Sequence, residues 1–144
     1  HQDVIEQAMT VHTHLMQQKT LPNALTIPFD RNTFQLSKHN QQDIKQQLKQ
    51  WSPQLTQPFH IVIIGHTDER GAKEHNIALG WRRAIAVKQT LLHLGIPATH
   101  ITSVSYGEEM PINPIHHQLA WQMNRRVDII LIKRKEQDHA DQII

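Results

Sequence analysis

Phe59-His60-Ile61-Val62-Ile63-Ile64-Gly65-His66-Thr67-Asp68-Glu69-Arg70-Gly71 is the stretch on which the architecture turns. Its opening, Phe59–Ile64, is a nearly continuous apolar run, which suggests a central strand buried on both faces. Gly65–Gly71 reads as the loop leaving the carboxyl end of that strand. A long helix is predicted next, over about 72–94, because Ile77, Gly80, Ala84, Val87, Leu91 and Leu94 recur at steps of three and four. These residues define its expected buried stripe. Gly95 closes the helix as a C-cap, and Pro97 prevents its continuation.

Upstream, residues 3–18 place Val4, Ala8, Val11 and Leu15 at helical spacing, with Asp3 as a cap. This amphipathic helix either packs on the domain or leads in from a linker, and Pro22 breaks it. Leu25, Ile27 and Phe29 alternate in a short strand over Ala24–Phe29. Asp30–Leu36 is a loop, and Ser37 is the natural N-cap of a helix over 38–55 with Ile44, Leu48, Trp51 and Leu55 on one face. Downstream, Ile101–Tyr106 is a third strand, 115–123 at most a short helix, and Arg126–Ile132 the last strand. The predicted fold is an α/β two-layer sandwich: a mixed four-stranded sheet, two long helices on one face and an additional N-terminal helix. The chain divides into an N-terminal helix and linker (1–22), one domain (23–133) and a polar C-terminal tail (134–144).

The composition narrows the function classes. With 144 residues the chain fits one domain that can bury a sizeable core. Apolar runs such as Ile61–Ile64 are far short of the roughly 20 residues that span a bilayer. Fifteen Lys+Arg against thirteen Asp+Glu leave a net charge of +2, too even for a nucleic-acid partner. There is no cysteine, which removes disulfides, thiolate metal sites and thiol catalysis. The chain opens at His1 without a basic-then-apolar leader or a lipid-acceptor Cys, so membrane attachment is expected only through residues absent from it.

The loop at 65–71 is the best place for chemistry, because ligands bind α/β sheets at the carboxyl ends of strands. Asp68 lies just before a helix N-terminus and is either a helix cap or a ligand group. Asn76 and Arg83, two helical turns apart, share a face about 100° from the apolar stripe. Arg83 is therefore expected on the helix rim, within reach of the Asp68 loop. A carboxylate and a guanidinium flanking one cleft suit a zwitterion, unless they simply form a surface ion pair worth about 0–1 kcal/mol.

Gly65-His66-Thr67-Asp68, followed by Gly71, Asn76, Leu79 and Arg83-Ala84, resembles the signature of the OmpA-like C-terminal domain. Ser105-Tyr106-Gly107-Glu108, Pro111 and Asn124-Arg125-Arg126-Val127 follow in that family's order and approximate spacing. The resemblance implies non-covalent binding of peptidoglycan in the periplasm, through the diaminopimelate of the stem peptide, with no cofactor. Asp68 matches the family's acidic ligand residue and Arg83 its basic one, while Thr67 and Asn76 match positions lining the same pocket. One of Arg125 and Arg126 adds a supporting contact, with Arg126 favoured, although Val127-Asp128-Ile129 gives no clean strand parity. The family usually has Ser where this chain has Gly80, and Gly where it has Ser105. Gly80 is expected to mark a close helix–sheet approach at a cost of about 1 kcal/mol in helix propensity.

Competing readings are weaker. His12 and His14 point about 200° apart on a helix, and His116-His117 has no third ligand nearby in sequence, so no metal site is expected. His66, Asp68 and Ser103 or Ser105 superficially supply a hydrolytic trio, but no nucleophile elbow is present and no enzyme is expected. A further alternative keeps the fold and makes it a flagellar-stator, secretion-system or regulatory module, with Val4, Ala8, Val11 and Leu15 pairing helices in a homodimer.

Overall fold

The computed structural model describes residues 2–16 and 23–134. Its elements run α1 (Gln2–Met16), β1 (Ala24–Pro28), α2 (Lys38–Trp51), β2 (Phe59–His66), α3 (Lys73–His93), β3 (Ile101–Gly107), α4 (Gln118–Asn124) and β4 (Arg126–Lys133). The strands form one open sheet in the order β1-β4-β2-β3. β2 and β3 are parallel, and β4 runs antiparallel to both β1 and β2. A parallel pair requires a crossover, which α3 supplies. The architecture is the mixed four-stranded α/β fold expected from the sequence.

Both faces of the sheet are covered, so β2 is buried along its whole length. On one face Ile27, Ile61, Ile63, Val127, Ile129 and Leu131 meet Ile44 and Trp51 of α2 and Ala84, Val87 and Leu91 of α3. On the other, Val62, Ile64, Ile130 and Ile132 meet Val4 and Ala8 of α1, with Val11 packed alongside. The N-terminal helix thus docks on the sheet, and Val4, Ala8 and Val11 of the stripe considered for helix pairing pack there. The expected Asp3 cap, the position of the Leu15 side chain, the Pro22 break and the tail beyond 134 lie outside the described residues.

Local rules account for the helix ends. Ser37 accepts a 3.0 Å hydrogen bond from the Asn40 N–H, as an N-cap should. Helix α2 stops at Trp51, earlier than the predicted 55, because Pro53 starts a separate 3₁₀ turn over Gln54–Thr56. Gly95 adopts φ +97°, which lets the Ile96 N–H return to the Leu91 carbonyl and close α3.

Helix α3 corrects the expected stripe. Its buried residues are Asn76, Leu79, Gly80, Arg83, Ala84, Val87 and Leu91, whereas Ile77 and Leu94 are 40% and 39% exposed. The first turns of α3 lie over loops with backbone polar groups to satisfy, so Asn76 and Arg83 turn inward and Ile77 does not. Arg83 is consequently not on the rim but fully buried. At the other end Leu94 is the C-cap, already past the packed turns.

Between α3 and β2 the backbones themselves touch. A Cβ on Gly65 would stand 1.8 Å from the Gly80 carbonyl oxygen, and one on Gly80 would stand 2.4 Å from Ser105 Oγ. Ser105 Oγ donates to the Ile77 carbonyl at 2.7 Å, so its hydroxyl fills the space that Gly80 leaves. Two outcomes are expected in urea denaturation. Gly65→Ala costs about 3 kcal/mol or more, because backbone and not a mobile side chain blocks the new methyl. Gly80→Ser costs about 1–3 kcal/mol, and adding Ser105→Gly recovers most of that loss. A double variant no more stable than Gly80→Ser excludes this reciprocal fit.

Candidate functional site

The β2–α3 loop, the β1–α2 loop, α3 and the residue before β4 converge on one cleft. Arg31, Asn32, Thr67, Asp68, Arg70, Asn76, Leu79, Arg83 and Arg125 line it, around a space of about 10 Å³, roughly room for one water. Four arginines and a single carboxylate, that of Asp68, therefore line the cleft.

Asp68 is not the cap of α3, whose N-cap is Ala72. Its Oδ1 accepts the Arg70 backbone N–H at 2.9 Å and Arg70 Nε at 3.2 Å, and its Oδ2 accepts Arg70 Nη2 at 2.9 Å. Arg125 Nη1 approaches the same Oδ2 at 3.5 Å. Burial acts to raise its pKa, but the hydrogen bonds and charge of Arg70, joined by Arg125, hold the carboxyl below the usual carboxylate range. Arg70 in turn stacks 4.3 Å over the Trp121 ring of α4. Trp121 Nε1 donates to Glu69 Oε1 at 3.1 Å, tying the outer side of the loop to α4.

Arg83 forms no ion pair with Asp68. Its Nε donates to the Thr33 carbonyl at 2.7 Å, its Nη1 to the His66 carbonyl at 2.9 Å and its Nη2 to the Asp30 carbonyl at 2.9 Å. Burial, with repulsion from Arg125, lowers its pKa to about 10, so it is still charged at neutral pH. Thr67 donates its N–H to the Gly107 carbonyl and its Oγ1 to the Asp68 carbonyl, both at 2.9 Å. Asn76 Nδ2 reaches the Arg70 carbonyl at 3.1 Å and Glu108 Oε1 at 3.1 Å. These two residues hold the loop that presents Asp68.

Of the expected ligand residues, Thr67, Asp68, Asn76 and Arg83 come together. Arg126 does not. Val127, Ile129 and Leu131 face α2 and α3, so the alternate residues Arg126 and Asp128 face α1. Arg126 is buried there, its Nε on Asp128 Oδ2 at 3.2 Å and its Nη1 and Nη2 on the carbonyls of Asn124 and Met110. Arg125, on the cleft side, is the arginine that meets Asp68. Sequence reasoning also missed Arg70, although its place two residues after Asp68 is the spacing at which a backbone N–H and a side chain of one residue can both reach a carboxylate. The hydrolytic trio does not assemble: the His66 ring faces Asp128 and His12, while Ser105 Oγ bonds the Ile77 carbonyl.

The cleft lies at the carboxyl end of a buried strand, where α/β folds commonly carry their sites, and is walled by charged side chains on rigid elements. The family model described as OmpA family matches residues 28–125, and the chain belongs to that family. It is 46% identical over 69 residues to the peptidoglycan-associated lipoprotein of Pseudomonas aeruginosa, covering 48% of this chain and 41% of that protein. It is 37% identical over 103 residues to the peptidoglycan-associated lipoprotein of Brucella melitensis, covering 72% of this chain and 60% of that one. The chain thus spans about half the length of these curated relatives. The crystal structure of the peptidoglycan-associated lipoprotein from Burkholderia pseudomallei superposes with a TM-score of 0.67 at 34% identity, covering 74% of this chain and 88% of that chain. The C-terminal domain of Helicobacter pylori MotB shares the fold, with a TM-score of 0.67 at 22% identity over 81% of this chain and 90% of its own.

The two neighbouring arginines separate in a stability experiment. Arg126→Ala leaves the Asp128 carboxylate buried without its cation and is expected to cost about 3–5 kcal/mol. Arg125→Ala removes bonds to Asp68 at 3.5 Å and to the Phe29 carbonyl at 3.0 Å from a partly exposed side chain, and is expected to cost about 1–2 kcal/mol. Equal losses in chemical denaturation contradict this assignment of faces.

Proposed function

We propose that the domain binds peptidoglycan non-covalently, through the diaminopimelate of the stem peptide, and anchors the envelope component that carries it to the cell wall. As an OmpA-family domain it works in the periplasm, at the cell envelope, and its role is binding, not catalysis. The observation that carries the reading is the cleft itself, one ionised Asp68 among four arginines. The free end of diaminopimelate is an amino acid, with an ammonium for Asp68 and a carboxylate for guanidinium N–H groups.

In this reading Asp68 receives the ammonium, while Arg83 and Arg125 receive the carboxylate. Three of the five N–H groups of Arg83 hold backbone carbonyls, which leaves two for a ligand. Thr67 and Asn76 fix the loop, and Arg125 takes the supporting role first expected of Arg126. The cleft holds about one water, so the ligand displaces Arg70 from Asp68 on entry. The Arg70 side chain is 26% exposed, on the open side of Asp68, and can swing out to solvent.

Sedimentation with purified sacculi tests the site. Asp68→Asn and Arg125→Ala are each expected to weaken binding by about tenfold or more, the scale of losing one charge-assisted contact. Full retention by both variants, with unchanged circular dichroism, overturns the proposal. Ligand charge provides a second test. A muropeptide carrying meso-diaminopimelate should release the bound domain, whereas one carrying lysine at that position, whose side chain ends in an ammonium without a carboxylate, should compete poorly. Equal competition by the two removes the arginines from the mechanism.

A further inference from the structure

The face of the sheet under α1 holds a second constellation that peptidoglycan binding does not use. His12 of α1, His66 of β2 and Asp128 of β4 are each no more than 1% exposed. His12 Nε2 lies 3.1 Å from His66 Nε2, and each of these nitrogens lies 3.1 Å from the same carboxylate oxygen, Asp128 Oδ2. The three atoms form an equilateral triangle.

Hydrogen bonds alone cannot satisfy this triangle. The carboxylate oxygen only accepts. If both Nε2 atoms carry protons, each can donate to Asp128, but the two N–H groups then face each other at 3.1 Å. If one Nε2 is bare, it accepts from its neighbour while setting its own lone pair against the carboxylate oxygen. Either way one edge is repulsive, inside a site with no water-like dielectric to soften it. A cation serves all three edges at once.

From this the geometry points to a binding site for one divalent transition-metal ion of the zinc class, held by His12 Nε2, His66 Nε2 and Asp128 Oδ2 and stapling α1 to the sheet. The centre of a triangle of this size is about 1.8 Å from each corner, so an ion bonded at about 2.0–2.1 Å sits roughly 1 Å out of its plane. The fourth position is left for a water. Two imidazoles and one carboxylate select zinc or cobalt over magnesium or calcium, which want oxygen donors.

The groups around the Asp128 carboxylate fit that role. Thr26 Oγ1 donates to Asp128 Oδ1 at 2.9 Å and fixes the carboxylate, leaving Oδ2 to face the imidazoles. Arg126 Nε takes the second lone pair of Oδ2 at 3.2 Å, so the oxygen is filled by one metal bond and one hydrogen bond. Its positive charge opposes a cation, but its Nη1 and Nη2 also rest on the carbonyls of Asn124 and Met110. The Tyr106 ring stands 6.2 Å from both imidazoles and closes one side. The histidine repeat that could not share a metal, His12 with His14, is irrelevant here, because the partner of His12 lies 54 residues away.

The test uses the whole chain, stripped with chelator and titrated with zinc sulfate. One equivalent should survive gel filtration and raise the thermal midpoint, and renewed chelation should reverse the rise. Asp128→Asn is a poor probe, since it unbalances Arg126 in the core. His12→Ala sits on the peripheral helix and is expected to weaken zinc uptake by about tenfold or more. His116→Ala with His117→Ala, on the exposed loop, should leave uptake unchanged. Cobalt loading should produce visible absorption bands in wild type that His12→Ala lacks. No retained equivalent in wild type, equal uptake by His12→Ala, or loss in the loop variant overturns the proposal.

Discussion

Arg83 reaches from the middle of α3 to three backbone carbonyls, two in the β1–α2 loop and one at the end of β2, and the cleft takes its shape from that grip. No carboxylate pairs with it directly. Burial of a bare guanidinium is unfavourable unless its N–H groups find acceptors, and carbonyl dipoles from two other segments provide them. Remove the cation and three buried carbonyls lose their donors. The residue that closes the fold around the loop therefore also lines the cleft beside Asp68.

The elements were legible because each rests on local chemistry. The run at Phe59–Ile64 announced a buried strand, Ser37 a helix start and Gly95 a helix end. Asp68 was legible from its place in the loop after a strand, and Asn76 from its spacing of two helical turns from Arg83. What could not be read was the burial of polar groups. Asn76 and Arg83 turn inward to meet loop atoms that periodicity does not see, and this rotated the predicted stripe of α3. Arg125 and Arg126 were exchanged for the same reason. Asp128 interrupts an apolar strand on a face that a helix over a hundred residues earlier supplies with histidine.

His66 joins the two sides of the sheet. Its carbonyl accepts from Arg83 in the cleft, while its ring, on the opposite face, lies against His12 and Asp128. Burial lowers the pKa of that imidazole to about 4, so it stays neutral among its polar neighbours. Thr67 and Asp68 follow immediately in the chain. Through this one residue α1, outside the matched family segment, and the cleft contact opposite sides of the same strand.

The contact among Gly65, Gly80 and Ser105 also bears on how such a sequence can arise. The OmpA-like signature that the sequence resembles implies a serine at position 80 and a glycine at 105, and this chain has Gly80 and Ser105. An ancestor holding both serines would press a Cβ to within 2.4 Å of a hydroxyl oxygen. An ancestor holding both glycines would carry only a small gap and a missing hydrogen bond. Any exchange of the two residues therefore passes through loss of the hydroxyl on one element before its gain on the other.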